Sequence, residues 1–195
     1  MSPTPAEEVM TPFGSLWLPI LLSAVAVFIV SSIVHMALQF WHRNDYRKLP
    51  NEDAVLAALR PFEIPPGDYM APQCDSMAEM KSPEFLAKWK AGPAFVATFF
   101  PRRDMSMGPQ MLGWFLYTLV ISALAGLLAC HVLAPGTDYI PVFHIVALAA
   151  FLGYAGALWP QSIWFHRNWG TTIRSTIDGL LYALVTAGVF GWLWP

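Results

Sequence analysis

The chain has 195 residues, 56% of them hydrophobic and only 12% charged, where a soluble domain is about 25% charged. That excess of apolar side chain needs a non-aqueous environment, and a formal net charge of -2 leaves no electrostatic footprint for nucleic acid. The two cysteines, Cys74 in a polar stretch and Cys130 in an apolar one, do not make a disulfide framework.

In chain order, the tail 1–15 has no Lys or Arg and carries Glu7 and Glu8. A secretory leader starts basic and has a short apolar centre, so the apolar run at 16–40 reads as a retained helix. The hydrocarbon core is about 30 Å thick and a helix rises about 1.5 Å per residue, so about 20 apolar residues cross it. Four segments qualify: 16–40, 111–134, 140–159 and 173–194. Each can satisfy its backbone hydrogen bonds internally, as lipid requires. The residues 41–110 form a long insert between the first two, and 160–172 connect the last two. The predicted fold is an all-α membrane protein, a four-transmembrane-helix bundle with a small α+β cytoplasmic insert between the first and second helices.

Charge fixes the expected orientation. All eleven Lys and Arg fall in two connections, nine in the insert and Arg167 and Arg174 after the third span. Basic loops stay in the cytoplasm, so both termini are expected on the other side. A bacterial inner membrane fits this segregation. Trp17, Trp192 and Trp194 fall at expected outer ends, and Trp41, Trp114, Trp159, Trp164 and Trp169 near inner ends, the headgroup level that tryptophan prefers.

Small residues recur at helical spacing. The fourth span has Gly179, Ala183, Ala187 and Gly191, the third Ala149, Gly153 and Ala157, and the second Ser122, Gly126 and Cys130. Such stripes let helix backbones approach closely in lipid. Packing within the chain is the first expectation, and a homo-oligomer or a larger membrane complex the second. The 135–139 turn makes the middle spans an antiparallel hairpin.

Within the insert, nine basic residues are matched by nine acidic ones. Asn51 is a candidate cap for a helix at 52–60. Ser82 and Pro83 start a second helix that Gly92 ends, with Phe85, Leu86 and Trp89 beside Lys88 and Lys90 as on a membrane-surface helix. Runs at 68–71 and 94–100 suit strands, and 65–67 a turn. The insert is expected to cap the inner helix ends. No phosphate loop, CxxC or HExxH is present, so no motif indicates a cofactor.

Polar groups inside a membrane need an explanation. Ser31, His35, Gln39 and His42, at i, i+4, i+8 and i+11, are expected close to one face of the first helix. They read as a polar helix end, or as a metal, haem or proton-relay site. Arg174 and Asp178 are spaced i, i+4 and read as an ion pair, with Asp178 otherwise a cation or proton carrier. Cys130, His131 and His144 form a weaker metal candidate at the opposite end, since adjacent residues diverge by about 100° on a helix. Met70, Cys74, Met77, Met80, Met105, Met107 and Met111 hint at copper(I), but methionine is also a packing residue. Three functional readings follow: an accessory membrane subunit without enzymatic activity, a redox or metal-binding protein using the histidines, and a small oligomeric transporter built on Asp178.

Overall fold

The computed structural model describes residues 10–104 and 106–195. The start of the expected 1–15 tail and Met105 of the sulfur-rich set lie outside the described residues. The elements in chain order are α1 (Trp17–Ser32), α2 (Gln39–His42), α3 (Glu52–Leu59), β1 (Gly67–Ala71), α4 (Met77–Met80), α5 (Pro83–Ala91), β2 (Phe95–Phe99), α6 (Gly108–Cys130), α7 (Tyr139–Ala155), α8 (Trp159–Phe165) and α9 (Trp169–Trp192). Four helical runs are long and apolar enough to cross a membrane: Phe13–Ala37, Gly108–Cys130, Tyr139–Phe165 and Trp169–Trp192. The described residues form two compact units, one from 10–46 and 106–195 and one from 47–104.

The helical unit packs through its small residues. A methyl group at Gly179 would stand 3.0 Å from the Ala155 Cβ and 3.4 Å from the Tyr154 backbone carbon, so α9 and α7 meet almost backbone to backbone. Ala183 and Ala187 are fully buried on the same stripe, and Gly191 lies under the Tyr139 ring. Gly126 of α6 receives the Phe190 ring, and Gly153 of α7 receives Ile121. Ser122 is buried, while Ala149 is half-buried against the core. Apart from Ala157, which is exposed, the stripes face neighbours of this chain.

At one end of this unit the chain ties off the turn between α6 and α7. The Thr11 hydroxyl donates to the Leu133 carbonyl at 2.8 Å, and the Trp194 indole N–H donates to the Ala134 carbonyl at 3.0 Å. Both carbonyls belong to the turn that follows α6. Residues from near both ends of the chain thus meet at the same end of the bundle.

Several helix ends differ from the sequence reading. The third apolar helix continues past Trp159, because Pro160 sits in the first turn of α8, where its missing N–H costs nothing. The expected connection at 160–172 is therefore mostly helix. The fourth begins at Trp169 rather than 173, with the Asn168 side chain accepting from the Gly170 N–H at 2.8 Å. The first is not a straight helix to residue 40, a difference on which the site depends.

The second unit holds a two-stranded antiparallel sheet, with Gly67 opposite Phe99 and Ala71 opposite Phe95. The Thr98 hydroxyl donates to Asp68 across the strands at 2.6 Å. The Ser82 hydroxyl caps α5 by accepting from the Phe85 N–H, and Gly92 ends it at a φ of 61°. Asn51 makes no side-chain cap to α3; it takes a left-handed conformation at φ 50° instead, which asparagine tolerates. Among the described residues of this unit, Phe85 alone of the apolar side chains reaches burial.

Candidate functional site

His35 and His42 are seven residues apart, which in an unbroken α-helix means about 10.5 Å of rise. Here the rings stack with centroids 4.4 Å apart and planes inclined by 17°. The backbone explains the collapse. After α1 the chain makes one π turn over Ile33–Ala37, in which the Leu38 N–H donates to the Ile33 carbonyl at 3.1 Å. Leu38 then leaves helical geometry at φ -94°, ψ 49°, and α2 starts afresh. Such π turns recur at functional sites. The straight-helix face expected for Ser31, His35, Gln39 and His42 is broken by this turn, and Gln39 stands exposed outside the cluster.

Each ring is oriented by a partner. His35 Nδ1 lies 3.0 Å from the Ser31 carbonyl oxygen. A carbonyl only accepts, so Nδ1 carries the proton and Nε2 keeps its lone pair. The Tyr182 hydroxyl is 3.5 Å from the same Nδ1. Ser31 is itself held, since its hydroxyl oxygen accepts from the Trp114 indole N–H at 2.8 Å. His42 Nδ1 lies 2.7 Å from Asp45 Oδ2. Its Nε2 is 3.1 Å from Asp178 Oδ2, within ion-pair distance, yet the angle makes no hydrogen bond and this buried nitrogen is left without one.

Two carboxylates frame the cluster. Asp178 is only 6% exposed, and its Oδ1 accepts from the Trp41 indole N–H at 2.9 Å. Asp45 Oδ1 accepts from Arg174 Nε at 2.9 Å and from Arg174 Nη2 as well. Burial pushes the Asp45 carboxyl up, but the hydrogen bonds from His42 and Arg174, together with their charges, outweigh it and hold the group below its ordinary range. This corrects the expected i, i+4 pair. Arg174 reaches Asp45 across the bundle, and Asp178 turns to Trp41 and His42. The local spacing rule fails because Trp41 and His42 meet Asp178 while Asp45 takes Arg174.

One nitrogen of His35, one of His42 and one oxygen of Asp178 lie within 4.8 Å of one another, the only such converging group of three among the described residues. Counting Arg174 against Asp45 and Asp178 leaves one negative charge when both imidazoles are neutral. Lone pairs of His42 Nε2 and Asp178 Oδ2 then face each other across 3.1 Å. That arrangement needs a positive charge between them, either a proton on His42 or a metal ion. Asp45 behind His42 and the Ser31 carbonyl behind His35 are the kind of outer partners that orient imidazole ligands.

Cys130, His131 and His144 do not converge in this way. The Cys130 thiol donates to the Leu127 carbonyl at 3.2 Å, and His131 Nδ1 meets the same carbonyl at 2.6 Å. The two stand 3.5 Å apart, closer than the helical divergence suggested. His144 is exposed, and its ring meets Phe143 edge-on. Met77 and Met80 are exposed on α4. Sequence reading passed over Asp45 and Tyr182 and placed Trp41 only at a helix end; the roles of Asp45 and Trp41 depend on the return of the chain after Leu38.

The chain matches no family model, no curated protein and no solved structure.

Proposed function

We propose that this is an integral membrane metalloprotein that binds one divalent first-row transition metal through His35, His42 and Asp178. In this reading the four apolar helices form a transmembrane bundle in a bacterial inner membrane. The basic connections face the cytoplasm, both termini face away from it, and the metal sits near the cytoplasmic ends of the helices. The supporting observation is the buried His42 Nε2 facing an Asp178 oxygen, with no hydrogen bond between them. Imidazole and carboxylate together suit zinc, iron(II) or manganese. Three protein ligands leave a coordination position open, as in sites where a metal does chemistry rather than brace a fold. Assembly with a partner draws little support from the small-residue stripes, because all but the exposed Ala157 are packed within the chain. The transport reading required Asp178 on a wet path, and its burial under Trp41 favours a fixed ligand instead.

Equilibrium dialysis against zinc in mild detergent tests the metal. One equivalent per chain is expected. Protein that takes up no zinc would instead carry a His42 imidazolium bridging Asp45 and Asp178, and the metal reading would fall. Orientation is tested with Cys74, since Cys130 is buried. A membrane-impermeant maleimide should label inverted vesicles and spare right-side-out ones, and the opposite pattern would reverse the topology.

A further inference from the structure

Beside His35, a groove of about 240 Å³ opens between α1 and the start of α6. Its walls are the aromatic rings of Phe28 and Trp114 and the thioethers of Met36, Met107 and Met111. Methionine sulfur packs favourably against aromatic rings. The Ser32 hydroxyl also lines the groove but donates to the Phe28 carbonyl of its own helix at 2.8 Å. Polar recognition therefore falls to Gln110, since His35 Nδ1 is taken by the Ser31 carbonyl and its Nε2 by the metal of the reading above. No Lys or Arg lines the groove, so a phosphate or carboxylate head group would find no counter-charge there. The volume is below the roughly 300 Å³ at which drug-sized pockets begin, which suits one ring better than a whole lipid. Exposed apolar Ile29 and Leu116 continue along the same two helices.

We infer that this groove binds a flat, uncharged aromatic head group on an apolar chain, of the alkyl-quinol class, with a head-group oxygen held by the Gln110 amide. The ring lies among the methionines and aromatics, and the tail leaves along the apolar helix faces. The inference rests on the membrane reading above, because the ligand arrives from lipid, but it does not require the metal.

The test uses the full chain in phospholipid nanodiscs and titrates decyl-benzoquinol, with zinc uptake measured on the same discs. Saturable binding of one quinol per chain is expected. Ser32→Phe, which fills the groove, and Gln110→Leu, which removes the amide, should each weaken quinol binding by about ten-fold or more. Zinc uptake should be unchanged in both, which also shows that they are folded. Quinol binding indifferent to both substitutions would overturn the proposal. So would equal competition by decanoic acid, which shares the tail but carries a charged head. Wild-type protein that takes zinc but no quinol sinks the groove and leaves the metal reading standing, whereas quinol bound without zinc does the reverse.

Discussion

The two ends of the helical unit carry similar chemistry and arrange it differently. At one end His35, His42 and Asp178 bring their ligand atoms within 4.8 Å of one another. At the other, Cys130 and His131 spend themselves on one carbonyl of their own helix, and His144 stays exposed. The composition is comparable, with two imidazoles and one anionic-capable group at each end. The difference lies in the backbone. A π turn and a break at Leu38 fold His42 back over His35, whereas α6 runs regularly to Cys130 and brings no third ligand to Cys130 and His131. Convergence of ligands depends on a departure from helical regularity rather than on the count of candidate residues.

That contrast can be broken most strongly at the ligands. His42→Ala or Asp178→Asn should reduce zinc affinity by more than about 100-fold, since replacing a mere outer partner of a metal already costs about 10- to 100-fold. Dialysis against competing chelators measures it. At the same end, Gly179→Leu should destabilise the protein by about 3 kcal/mol, because the new side chain meets Ala155 and the Tyr154 backbone, which cannot swing aside. Thermal unfolding in detergent reads this.

Asp45→Asn comes next. It should weaken zinc binding by about 10-fold or more. It should also cost about 2 kcal/mol of stability, below the usual loss for a broken buried pair because Arg174 keeps 23% exposure. The pH dependence follows from the lowered Asp45 value. A depressed folded value means the carboxylate's contribution is complete above the unfolded value of 3.8 and is lost as pH falls through the lower folded one. Acid titration of unfolding should therefore show this loss in the wild type only well into the acid range, and not in Asp45→Asn.

The opposite end should respond least. Gly191→Leu faces the Tyr139 ring, which is 45% exposed and able to rotate away, so the cost should stay near or below about 1 kcal/mol. Replacing Cys130, His131 and His144 together with alanine should leave zinc affinity unchanged. A large loss there would dissolve the distinction between the ends.

Much of the architecture is legible in the sequence because lipid-compatible helices need long apolar runs, and four such helices are present. Helix ends were less legible. Pro160 reads as a stop in sequence yet begins α8. His35 and His42 attract attention as isolated polar groups in or beside an apolar run, but their stacking does not follow from spacing. No glycine or proline marks the break at Leu38, in the sequence IVHMALQF. Arg174 and Asp178 satisfy a local pairing rule, and a tertiary competitor wins each of them. Asp45 looks like an ordinary loop acid until α2 turns it toward α9. Local rules see neighbours along the helix, and this site is made across helices.

X-ray absorption at the zinc edge of the reconstituted protein tests the central claim most directly. The account predicts a shell of nitrogen and oxygen scatterers at about 2.0–2.2 Å with imidazole signatures, lost in Asp178→Asn. A sulfur shell at about 2.3 Å, or an imidazole spectrum untouched by that substitution, would contradict it.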